Sequence, residues 1–140
     1  MVDCESIIFS KLAAAIRAAF PSNFTTSTNG TITSEKAPAP SNFPCVSISE
    51  ESNSVYRRTQ DSDNVENHSA LMYEVEIFSN LSSGRKAQCK AIAKVVDDTF
   101  KELNFTRTMF NPIPNATPTI TRYFGRYVAV VSADGLVYRK

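Results

Sequence analysis

A single histidine, His68, and no tryptophan occur in this 140-residue chain, and its three cysteines stand far apart at Cys4, Cys45 and Cys89. With one imidazole in a polar stretch, no Gly-x-Ser-x-Gly and no glycine-rich phosphate loop, the chain lacks the nucleophile, base and orienting group that a hydrolase assembles. No Cys-x-x-Cys is present, so neither a zinc site nor a disulfide framework is encoded, and the cysteines read as reduced residues in or near the core. No apolar run approaches the roughly 20 residues that span a bilayer. Asp3 and Glu5 stand where a leader would be basic, so the expectation is a protein that stays inside the cell, with its Asn-x-Ser/Thr triplets unused.

What is present is an ordinary globular balance, 42% hydrophobic and 21% charged. A chain of this size fits one domain that buries roughly two-thirds of its unfolded surface. The formal charge of +1 hides a division. Residues 1–70 carry five Lys or Arg against eight acids, and residues 71–140 carry ten against six. Opposite-signed halves suit self-assembly but fall short of the dense basic stripe of a nucleic-acid binder.

The chain is organised around residues 71–103. In Leu71-Met72-Tyr73-Glu74-Val75-Glu76-Ile77-Phe78 the odd positions are apolar while Glu74 and Glu76 point the other way, which predicts a strand with one buried and one wet face. Ser79 to Gly84 supplies a turn, with Ser83 as the expected helix N-cap. A run from Arg85 to Glu102 follows, free of proline and glycine, in which Cys89, Ile92, Val95, Val96, Phe100 and Leu103 form one helical stripe. Asn104 suits a left-handed exit.

Before this centre, residues 4–20 read as an amphipathic helix on the face of Ile7, Ile8, Leu12, Ala15, Ile16, Ala19 and Phe20, ended by Pro21. Residues 22–42 form a long loop, with Asn29-Gly30 as a turn pair, Ala37-Pro38-Ala39-Pro40 as a stiff tether and room for at most a short strand. Phe43 to Ser49 is a strand. Residues 50–69 form a second long, polar loop able to reach a partner. Asp61 and Asp63 lie in it, without the glycine and closing glutamate of a calcium loop.

After the central helix, Phe105 to Phe110 is a short strand and Asn111 to Pro118 a proline-stiffened surface loop. Ile120 to Val131 is a long strand with a bulge expected at Gly125. Asp134-Gly135 is a hairpin turn that returns Leu136 to Arg139 against Val128 to Ser132. The resulting order is α-β-β-α-β-β-β. It predicts an α+β domain over residues 1–140: a single, largely antiparallel (mixed) sheet with two helices packed on one face.

Five segments together resemble a known family. They are Tyr73-Glu74-Val75-Glu76-Ile77-Phe78-Ser79-Asn80, Val96-Asp97-Asp98 with Phe100, Leu103-Asn104-Phe105-Thr106-Arg107, Asn111-Pro112-Ile113-Pro114-Asn115, and Arg122-Tyr123-Phe124-Gly125-Arg126-Tyr127. In order and spacing they are similar to the tail terminator, tail completion and minor capsid proteins of long-tailed bacteriophages. The likeness covers residues 43–140 well and the first helix loosely, with Asn104 standing where the family often has glycine. It implies a non-enzymatic virion protein, assembled in the host cytoplasm, that forms a ring (expected to be a hexamer) at the head-proximal end of the tail tube. That ring would stop tube polymerisation and meet the head connector.

The implied partners are further copies of the chain, the major tail tube protein and head–tail connector or neck proteins. Non-specific contact with DNA in the lumen, through Arg57 or Arg58, is open; no cofactor, metal or membrane is expected. Interface residues are placed at Arg57, Arg58, Asp61, Asp63, Arg122 and Arg126, with Glu50, Glu51, Asp61 or Asp63 of the next chain as ion-pair partners. The alternatives are another neck or head-completion component of the same fold, or a small nucleic-acid-binding module using Tyr123, Phe124 and Tyr127 to stack bases. Glu74 and Glu76 could also be read as a carboxylate pair, although an alternating strand explains them without chemistry.

Overall fold

The central helix forms where its apolar stripe places it. In the computed structural model, which describes residues 4–21, 23–24, 30–36, 40, 42–55, 68–115, 117–132 and 137–138, α2 spans Arg85–Glu102 and buries Cys89, Ile92, Ala93, Val96 and Phe100. It follows α1 (Glu5–Ala19), β1 (Thr31–Thr33), β2 (Cys45–Val55) and β3 (His68–Ser79), and precedes β4 (Thr106–Ile113), β5 (Thr121–Ser132) and β6 (Val137–Tyr138). The expected α+β class and single mixed sheet are what the chain adopts. The order differs by one added strand, β1.

The strands run β1-β2-β3-β5-β4, with β6 continuing on β5. Among the described residues β1 is parallel to its neighbour β2, and the other pairs are antiparallel. Ile8, Leu12 and Ile16 of α1 and the stripe of α2 join Val46, Ile48, Leu71, Tyr73, Val75, Ile77, Tyr123 and Tyr127 in one core. Both helices therefore cover the same face. Ile7, expected on that face, is 57% exposed, because the stripe centred on Ile8, Leu12 and Ile16 turns it outward. At the heart of the core Phe100 stacks on Tyr127 with centroids 4.2 Å apart, and Phe105 meets Tyr73 edge-on at 5.6 Å. Such aromatic pairs add about 0.5–1.5 kcal/mol each beyond their buried area.

Several boundaries differ from expectation for identifiable reasons. Strand β2 runs to Val55 and pairs with β3 as far as Ser69, so part of the expected 50–69 loop is hairpin: backbone pairing continues where the side chains turn polar. Strand β4 continues through Pro112 to Ile113. It is the last strand of the sheet, and an edge tolerates a residue with no N–H. The N-cap of α2 is Gly84 at φ 81°, without a side-chain cap, rather than Ser83. Asn104 does leave the helix left-handed, at φ 65°.

The expected bulge at Gly125 is absent. Gly125 pairs in regular register with Val75 and Phe110, and the irregularity lies on β4 between Arg107 and Met109. A Cβ on Gly125 would stand 3.2 Å from the Phe110 ring, which stacks on Tyr123. The glycine makes room for that ring. Asp134-Gly135 lies outside the described residues, while Val137 and Tyr138 pair with Val131 and Val130 as the hairpin requires. Among the described residues no helix is long and apolar enough to cross a membrane.

Candidate functional site

The sheet face turned away from the helices carries the charged residues of β3 and β5, and strand register decides which of them meet. Glu74 lies directly opposite Arg126, Glu76 opposite Phe124, and Phe78 opposite Arg122. Arg126 donates to Glu74 Oε2 from Nη2 at 3.0 Å and from Nε at 3.3 Å. Arg122 donates diagonally to Glu76. Its guanidinium also sits 5.4 Å from the Phe78 ring centroid, a cation–π contact.

A third cation arrives from the segment after β1. Ser47 Oγ donates to the Glu35 carbonyl at 2.7 Å, anchoring that segment over β2. Lys36 then reaches Glu74 Oε1 at 2.8 Å and Glu51 at 4.0 Å. Lys36 and Arg126 stand 5.5 Å and 5.7 Å from the Phe124 ring centroid. The face expected to be wet is thus partly closed: Glu76 is 4% exposed and Phe78 fully buried.

The cations around Glu74 set its ionisation. Burial pushes the Glu74 carboxyl up, but hydrogen bonds and charge from Lys36 and Arg126 outweigh it and hold the group below the ordinary carboxylate range. A carboxylate kept ionised by two cations serves as an anchor. The thiols are equally quiet. Burial, with Glu76 nearby, pushes Cys45 up to about 11, and burial pushes Cys89 to about 11. Both stay protonated near neutrality and are poor nucleophiles. Among the described residues no cluster of His, Cys, Asp and Glu is arranged to hold a metal ion.

A second polar node lies on the helix side, where Asp97 of α2 accepts from the Tyr127 hydroxyl at 3.1 Å and Arg107 at 3.3 Å and pairs with Lys101 at 3.6 Å. It closes one end of a groove of about 260 Å³ between α2 and β4.

Of the residues singled out from sequence, Arg122 and Arg126 come together on one face, each held by a glutamate of its own chain. Arg57, Arg58, Asp61 and Asp63 lie outside the described residues. Glu50 accepts from the Tyr73 hydroxyl at 3.0 Å, and Glu51 faces Lys36. Tyr123 and Tyr127 are 3% and 2% exposed in the helix-side core, which leaves Phe124 alone of the proposed stacking residues on the open face. Lys36, Lys90, Lys94 and Arg107 were not anticipated. The Lys86-Lys90-Lys94 spacing was visible as one helix flank, whereas the Lys36 contact depends on a chain path no periodicity encodes. No family model matches the chain, and no curated protein matches its sequence.

Proposed function

We propose that this chain is a structural virion protein that forms a ring at the head-proximal end of a phage tail tube, ends tube polymerisation there and joins the tube to the head connector. The observation that carries this reading is the order and spacing of the five resembling segments. They fall on β3, on α2, across the α2–β4 turn, at the end of β4 and on β5. The fold class expected of such a subunit is the one adopted. The carboxylates of Glu74 and Glu76, each engaged by cations of the same chain, suit a scaffold. The proposed partners are further copies of the chain, the major tail tube protein and connector or neck proteins, with location in the virion.

The test is to polymerise the tail tube protein of the same phage with and without this chain. Tubes should become shorter and carry a ring at one end in negative-stain micrographs. Unchanged tube lengths with bare ends would refute the terminator role, and a ring that instead binds isolated head connectors would move the chain to the neighbouring neck position.

A further inference from the structure

Lys86, Lys90 and Lys94 recur every fourth residue along α2, about 6 Å apart along its axis, and all three are exposed. None joins an ion pair among the described residues. Lys90 and Lys94 overhang the groove between α2 and β4, whose floor is Ala93, Phe110 and Tyr127 and whose far wall is Arg107. The carboxylate in that groove, Asp97, is already engaged by Tyr127, Arg107 and Lys101. What remains is an apolar floor under a rim of unneutralised cations, beside the last strand of the sheet.

The same chain carries the complementary chemistry. Thr59-Gln60-Asp61-Ser62-Asp63-Asn64-Val65-Glu66-Asn67 contains three acids, one aliphatic residue and no lysine or arginine. It belongs to the connection between β2 and β3, whose pairing ends at Val55 and Ser69. We propose that the α2–β4 groove is the acceptor half of a contact between copies of this chain, and that its occupant is segment 59–67 of a second copy. The three carboxylates meet the lysine rim, and the valine meets the floor. A nucleic-acid backbone would satisfy the rim but leave the apolar floor without a partner. A peptide with acids flanking a valine satisfies both.

Donor segment and acceptor groove are different surfaces, so each copy gives one contact and receives one. That arrangement is heterologous, the kind of contact from which a ring is built when the rotation between copies closes. The inference rests on the ring reading above and names the surfaces that would make it.

Two full-length variants test it, Lys90→Glu/Lys94→Glu and Asp61→Lys/Asp63→Lys, with mass followed by light scattering and fold by circular dichroism. The wild type should form a high-mass species that each variant alone loses while keeping its wild-type spectrum. Equimolar mixing of the two should restore it, because the acidic groove of one then accepts the basic segment of the other, and the reverse contact is also complementary. An associating wild type whose mass survives either pair of reversals overturns the docking and leaves the ring reading standing; so does failure of mixing to restore it. A wild type that stays monomeric both alone and with tail tube protein overturns the ring reading itself. Retention of a DNA duplex by the wild type, lost in Lys90→Glu/Lys94→Glu without change in mass, would assign the groove to phosphate and also overturn the docking.

Discussion

At Glu74 one carboxylate serves two cations, and its ionisation has a consequence for stability. Its folded pKa lies below the ordinary value, so it contributes stability that is present above the unfolded value of about 4.3 and is lost as pH falls through the folded value. Glu74→Gln removes that contribution. Urea denaturation between pH 3 and 7 should show wild-type stability falling more steeply in the acid limb than that of the variant; parallel curves would contradict this. The Arg126 pair is measurable separately. Arg126→Glu sets two like charges directly opposite across β3 and β5 and should lower stability by about 1 kcal/mol. A double-mutant cycle of Arg126→Gln with Glu74→Gln, neither of which adds a charge, should return a coupling of about 0.2–1 kcal/mol, and a coupling of zero would show the pair to be inert. On the helix side, Asp97→Ala leaves the buried Tyr127 hydroxyl without its acceptor and should cost about 1–3 kcal/mol, more than the roughly 0.5–1.5 kcal/mol of Tyr127→Phe. Thermal denaturation of the two variants side by side decides the order.

Among the elements, the three-residue β1 depends closely on one position. Gly30 N–H donates to the Asn23 carbonyl at 2.6 Å and Thr31 N–H to the Pro44 carbonyl at 3.0 Å. A Cβ on Gly30 would collide with Pro44 O and stand 2.7 Å from the Phe24 ring and 2.8 Å from Asn23 O. Backbone atoms cannot swing aside, so Gly30→Ala should cost on the order of 1–3 kcal/mol. Gly125→Ala meets the half-buried Phe110 ring, which can move, and should cost less; equal denaturation midpoints would contradict this reading. These elements also mark how far the sequence could be read. Helix α2 was legible to its end residues, because a stripe of six apolar positions between a glycine and a left-handed asparagine admits one solution. The extension of β2 beyond Ser49 was not, because Glu50 to Ser54 owes its order to backbone pairing rather than to side-chain pattern. Glu74, Glu76, Arg122 and Arg126 were visible as residues and as a face. Their pairing within the chain was not, because it depends on a register between strands more than forty residues apart.

For the whole molecule, the division of charge between halves acquires a location. The excess of cations in the second half includes the α2 flank, while Arg122 and Arg126 in the same half are already matched by Glu76 and Glu74. Self-association should therefore weaken with salt if the free lysines guide it, since exposed charges are screened beyond about 8–10 Å at physiological ionic strength. The measurement that bears most directly on a ring-forming terminator is the mass of the purified chain by light scattering across concentration, alone and with tail tube protein. A species near six subunits of 15.5 kDa, in either condition, is the expected result; a strict monomer in both would contradict it.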